Sequence, residues 1–224
     1  MSPRSASLAP VAAPPSPLAG IEALATPLRR RRGEIVCDGE RSAPFLYRVE
    51  AGAARRCALS ADGRRRIVDL LFPGDFFGFD GEGRAGSSIE ALTEGTIVLR
   101  YPRREVEALA DADPQAARAI REIAFAAIAR LETQISLLGR VNAVEKVGAF
   151  LLALEERQSA GERAGPRRVT LPVSRCDIGD FLALAPETVS RSFAALERRG
   201  AISLSAPRDV AILDRAALRA RGQR

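Results

Sequence analysis

The sequence predicts an α+β protein: a small N-terminal β-sandwich or barrel, one long helix, and a C-terminal winged helix-turn-helix. Three observations carry this. Glycines at 33, 52, 63, 74 and 95 punctuate short β-rich runs. Pro114 to Gly139 has no internal glycine or proline and repeats its apolar residues at helical spacing. Ser174 to Gly200 reads as two short helices with a tight joint, and two short apolar strands follow it.

The first twenty residues are rich in Pro, Ala and Ser. They lack a continuous apolar core with a cleavage pattern, so residues 1–20 read as a disordered tail rather than a signal peptide. Residues 21–112 form the barrel unit. Its strand runs are E-I-V-C, F-L-Y-R-V, R-I-V-D-L-L-F and T-I-V-L-R-Y, with turn signals roughly every ten residues, as small all-β domains have. Gly81, Gly83 and Gly86 spell G-x-G-x-x-G. A dinucleotide site needs that motif to open a helix after a strand. Here S-S-I-E-A-L-T-E-G follows, which reads as strand and turn, so the motif is a barrel loop.

Residues 113–140 form the long helix. Ala124, Ile128, Leu131, Ile135 and Leu138 step by 4, 3, 4, 3, a heptad seam. A seam this short suits packing on its own barrel or on a second copy. Residues 141–224 form the third unit. Val141 to Gln158 is a further helix, and S-A-G-E-R-A-G-P-R-R an exposed loop.

In the last unit, Ser174 and Asp177 match an S-x-x-D capping box. Ile178, Phe181 and Leu182 give the first helix an apolar face. Leu184 and Ala185 make the joint, Pro186 suits the first position of the second helix, and Gly200 suits its stop. Val189, Phe193 and Leu196 fall on the buried side of that helix. Glu187, Ser190, Arg191 and Ala194 fall on the opposite side. An acid, a hydroxyl and an arginine within two turns of a helix start match a major-groove reader, able to pair with cytosine, with thymine or adenine, and with guanine. The same spacing fits an ordinary helical hairpin. The runs Ala201 to Leu204 and Val210 to Leu213, separated by S-A-P-R-D, add a wing and make the arrangement more specific.

Bulk chemistry narrows the function. The net charge of +6 suits a nucleic-acid partner, although an arginine-rich composition also follows from genomic base bias. No run of about 18 apolar residues exists, so no membrane partner is expected. The chain has no histidine, which removes the usual general base and imidazole ligand. No catalytic residue and no metal or cofactor site is assigned. Three widely spaced cysteines, at 37, 57 and 176, read as reduced thiols of a cytosolic protein. They are too few and too scattered for an iron–sulfur cluster.

The stretch L-P-V-S-R-C-D-I-G-D-F-L-A-L-A-P-E-T-V-S-R (Leu171 to Arg191) resembles the DNA-binding domain of the Crp–Fnr transcription regulators. E-T-V-S-R is similar to the FixK and Fnr branch, which has E-x-x-S-R. The cyclic-AMP receptor branch typically has R-E-T-V-G-R, where this chain has Pro186 for the arginine and Ser190 for the glycine. F-P-G-D-F-F-G-F-D (Phe72 to Asp80) resembles the sensor-domain signature, and the resemblance covers roughly Arg29 to Leu218.

The resemblance implies a jelly-roll, cyclic-nucleotide-binding-like barrel. It implies a homodimer paired through the long helix at Ile128, Leu131, Ile135 and Leu138. It implies double-stranded DNA with an inverted repeat as ligand, and RNA polymerase as partner. Thr188, Ser174 and Arg175 join Glu187, Ser190 and Arg191 as expected DNA contacts. Cyclic AMP is not expected, because Ser87 and Ser88 follow Gly86 without the family's arginine; Arg84 leaves another anionic ligand open. The cluster-bearing members carry an N-terminal cysteine group, absent here, and a barrel cysteine, at about Leu99. Cys176 is a redox candidate, two residues after the reactive position of some FixK-type relatives, and an inert thiol is the alternative. The implied function is a cytosolic FixK-like activator without cofactor. The alternative is a regulator answering to a small ligand in the barrel or to thiol oxidation.

Overall fold

The structure, a computed structural model, describes residues 19–59, 63, 65–79, 87–158 and 167–219. Nearly all of the expected N-terminal tail, the G-x-G-x-x-G motif with Arg84, and residues 159–166 lie outside that set. A one-turn helix α1 (Ala19–Glu22) leads into eight strands: β1 (Thr26–Arg30), β2 (Ile35–Asp38), β3 (Phe45–Ala51), β4 (Ala54–Leu59), β5 (Arg65–Leu71), β6 (Phe76–Phe77), β7 (Ser87–Ala91) and β8 (Thr96–Pro102). They build two antiparallel sheets ordered β1-β8-β3-β6 and β2-β7-β4-β5. Val36, Tyr47, Val49, Leu71, Phe77, Ile89 and Val98 fill the space between them. Tyr47 and Phe77 stack at the centre with ring centroids 5.1 Å apart.

The four expected strand runs are all present. β4, A-R-R-C-A-L, was not read as a strand. A bulge between Arg56 and Cys57 breaks the alternation of inward and outward residues that marks a strand in sequence.

α2 (Arg103–Ala112), a helix at the end of the stretch expected to be barrel, follows β8. Asp113 then caps α3 (Pro114–Leu138) by accepting from the Gln115 amide, with proline at the first position. Ala116, Ala119 and Leu137 face inward. Ile128, Leu131, Ile135 and Leu138 remain 38–69% exposed, and Phe125 joins them at 64%. α4 (Ala143–Gln158) starts later than the expected Val141, because the Asn142 side chain accepts from the Val144 amide and caps the helix there.

The C-terminal part continues with β9 (Arg167–Thr170), α5 (Arg175–Leu182), α6 (Pro186–Arg198), β10 (Ile202–Ala206), β11 (Asp209–Ile212) and α7 (Arg215–Arg219). The wing is a three-stranded sheet, β10-β11-β9. This corrects the loop expected through Arg168: Arg167 and Arg168 pair with Ile212 and Ala211. The core beneath α5 and α6 holds Val147, Phe150, Leu151, Ile178, Leu182, Val189, Phe193 and Leu196. Each such buried side chain contributes roughly 1.5–3 kcal/mol.

That core runs on into Leu70 and Phe72 of the barrel. Polar contacts cross the same junction. Arg55 of β4 bonds both Glu90 and Asp177. The Ile67 amide of β5, an outer strand of its sheet, donates to the Asp180 carboxylate at 2.7 Å.

Candidate nucleic-acid interface

The interface is built on α5 and α6. Ser174 caps α5 with a reciprocal box: its hydroxyl accepts from the Asp177 amide, and the Asp177 carboxylate accepts from the Ser174 amide. α5 ends where Ala183 turns left-handed at φ 54°. There the Leu184 amide donates to the Gly179 carbonyl, and the Ala183 amide is paired with the Asp180 carbonyl, a Schellman closure. Gly179 is required by contact rather than by dihedral. A Cβ on it would sit 2.7 Å from the Leu184 carbonyl oxygen, so only glycine lets the turn close this tightly.

Pro186 then opens α6 without an amide to satisfy. Val189, Phe193 and Leu196 are buried, which fixes the rotation of the helix and turns Glu187, Ser190 and Arg191 outward, all three exposed. Glu187 and Arg191 form no ion pair among the described residues. The Ser190 hydroxyl donates to the Pro186 carbonyl at 3.1 Å, leaving its oxygen free to accept. Thr188 is half-buried on the flank. The structure thus brings four of the six expected DNA contacts onto one short helix.

The other two stand differently. The Ser174 hydroxyl is held within the capping box. Arg175 lies over the Phe193 ring and reaches the Pro207 carbonyl of the wing turn at 3.5 Å. Burial pushes its guanidinium down to about 10, still charged at neutral pH. Its stem and head therefore tie α5 to α6 and the wing. The exposed basic side chain at the wing turn is Arg208, which the sequence reading passed over although it sits beside Pro207 in the expected turn. Cys176 is exposed next to Arg175; Cys37 is half-buried and Cys57 buried.

Ser87 and Ser88 pair in the ladder with Ala58 and Cys57. Beside Ser87, Tyr47, Arg56 and Phe77 help to line a cavity of about 20 Å³ among the described residues, and a second barrel cavity of about 400 Å³ is lined by Arg30, Val36, Tyr47 and Arg100. Burial pushes the Cys57 thiol up. No group of three or more metal-ligating His, Cys, Asp or Glu side chains occurs among the described residues. No helix among them is long and apolar enough to cross a membrane.

Two family models match the chain: a Crp-like helix-turn-helix domain over residues 145–221 and a cyclic nucleotide-binding domain over residues 27–113. The chain is 41% identical to the nitrogen fixation regulation protein FixK of Azorhizobium caulinodans over 199 residues, covering 89% of this chain and 80% of that protein. It is 32% identical to the transcriptional activator protein FnrL of Cereibacter sphaeroides, covering 78% of this chain and 71% of that protein. The solved structure of FixK2 from Bradyrhizobium japonicum superposes with a TM-score of 0.76 at 34% identity, over 87% of this chain and 95% of that one.

Proposed function

Because the chain belongs to the Crp–Fnr family of transcription regulators, with FixK and Fnr proteins as its relatives, we propose that it is a cytosolic FixK-type activator. It binds an Fnr-type inverted repeat as a homodimer and recruits RNA polymerase. The observation that carries this reading is the outward row of Glu187, Ser190 and Arg191 on α6, uncommitted except for one serine bond. Arg191 donates two hydrogen bonds to guanine, Glu187 accepts from a cytosine amino group, and Ser190 touches a neighbouring base. Thr188, Arg208 and the start of α5 line the phosphates on either side. The exposed apolar row on α3 pairs two copies, and the resulting two-fold axis matches an inverted repeat. No step of this scheme is chemical catalysis.

The protein acts without cyclic AMP and without an iron–sulfur cluster. The support is the missing Arg-Ser pair after Gly86 and the scatter of the three cysteines. The test is a gel shift on a palindrome with TTGA-like half-sites, using purified protein with no added nucleotide or iron. Retarded complex on this site but not on a scrambled one supports the reading. Binding that appears only with cyclic AMP, or a stoichiometric iron content, overturns the effector-free part. A second reading, control by thiol oxidation, draws on the exposure of Cys176 at the start of α5.

A further inference from the structure

A cavity of about 300 Å³ lies where the barrel, α3, α4 and α5 meet. Its floor is apolar and comes from four places in the chain: Leu70 and Phe72 of the barrel, Leu137 of α3, Phe150 and Leu154 of α4, and Phe181 of α5. All six side chains are buried. It is a cleft open to solvent on one side, with its apolar floor buried beneath it. It reaches the lower end of the range in which small molecules bind, and it lies at a domain junction, where such sites concentrate.

The charged groups of the rim are paired with one another. Arg130 is paired with Asp69, and Arg157 with Asp75. Arg157 also stacks on Phe72 at 4.4 Å. Gln134 donates one amide hydrogen to the Val68 carbonyl, and the Thr133 hydroxyl donates to the Ala129 carbonyl. Glu156, also on the rim, is paired with Arg215. Each charge already has its partner, so an anionic ligand would have to displace Asp69 or Asp75, and a cationic one Arg130, Arg157 or Arg215. A neutral molecule displaces none of them.

The cavity and the exposed apolar row use different faces of α3. Arg130, Thr133, Gln134 and Leu137 are spaced i, i+3, i+4, i+7 and face the cavity. Ile128, Leu131, Ile135 and Leu138 point to the far side of the same helix, at 100° per residue.

We propose that this junction cavity binds a small, neutral, mostly apolar molecule of one or two aromatic rings, and that its occupancy alters DNA affinity. The occupant touches β5, α3, α4 and α5 at once. It therefore binds best to one placement of the helix-turn-helix against the barrel, and shifts the population toward that placement. The second half of the proposal rests on the DNA-binding reading above; the first half does not.

The probe is N-phenyl-1-naphthylamine, neutral and fluorescent in apolar surroundings. Its comparison is 1-anilinonaphthalene-8-sulfonate, the same rings with a negative charge. Full-length protein should bind the neutral probe saturably, at about one per chain, and the sulfonate roughly tenfold more weakly. Ala153→Phe and Ala129→Phe each send a ring into the cavity from a different helix, and each should weaken the neutral probe roughly tenfold. Unchanged binding in both variants, or tighter binding of the sulfonate, overturns the site. If both variants unfold early, the wild type decides: the neutral probe must raise its thermal midpoint, and no rise overturns the site.

Saturating neutral probe should then change the operator Kd by roughly threefold or more. A bound probe with an unchanged Kd overturns the regulatory half. Failure of probe-free protein to bind the operator would refute the DNA reading instead, and would leave the probe result standing.

Discussion

One carboxylate, Asp177, both caps α5 and pairs with Arg55 across the junction, so its removal has a magnitude that can be built from parts. Asp177→Ala deletes the acceptor for the Ser174 amide; a lost cap contact costs about 1 kcal/mol. It also deletes an ion pair whose side chains are 16% and 18% exposed. Exposed pairs contribute about 0.5 kcal/mol and buried ones leave a larger deficit when broken, so this intermediate pair is worth about 1 kcal/mol. The expected total is about 2 kcal/mol. Asp177→Asn keeps an acceptor and loses the charge, and should lose about half of that.

Arg55→Ala strands neither carboxylate: Glu90 retains Arg65, and Asp177 retains Ser174. Hence the Arg55→Ala/Asp177→Ala cycle should report a coupling of about 1 kcal/mol. Urea denaturation at one fixed protein concentration measures it, because the proposed pairing through α3 would make stability depend on concentration. Strict additivity, within about 0.3 kcal/mol, would show that the bridge contributes nothing and that Asp177 is only a cap.

Other perturbations follow from the same geometry. Arg191→Ala should lose about 1–3 kcal/mol on the specific operator and far less on random DNA; equal losses would reduce Arg191 to a phosphate contact. Leu131→Glu sets a charge in the exposed row of α3 and should yield monomers with weak operator binding; an unchanged dimer in sedimentation would rule that row out as the seam. Gly179→Ala should destabilise by about 1–3 kcal/mol, since the backbone carbonyl at Leu184 cannot yield as a side chain would; a melting curve like that of wild type would refute the contact argument. Among the thiols, Cys176 should react fastest with a disulfide reagent, and Cys57, buried and with a raised pKa, slowest. Peroxide should weaken DNA binding in the wild type but not in Cys176→Ser, and inhibition that persists in that variant would remove the redox role.

The helices of the reader were legible because their signals are local. The S-x-x-D box, Pro186, and the 3-4 spacing of Val189, Phe193 and Leu196 lie within a few residues of one another. So were the strands with clean alternation. β4 was hidden by its paired arginines and bulge, and β9 by arginines that become strand residues only against β11, some forty residues later. Phe125 was missed because the neighbouring Ala124 completed a regular heptad, although Phe125 is the residue left exposed. The orientation of Arg175 depends on Phe193 and Pro207, and the partner of Asp177 is 122 residues away; neither has a sequence signature. The junction cavity is less legible still, being a gap between elements rather than a property of any one.

The bond from the Ile67 amide to Asp180 has a consequence for solubility. β5 has a strand on one side only, and the middle of R-R-I-V-D-L-L offers its free edge at Ile67 and Val68, between charged residues. In the intact chain α5 lies against that margin and a carboxylate occupies the exposed amide. The DNA-reading unit is thus also the barrel's guard against intermolecular stacking. Any separation of the two, whether by proteolysis or by dissecting the gene, uncovers the Ile67 edge and leaves Arg65, Arg66 and Asp69 as its remaining protection.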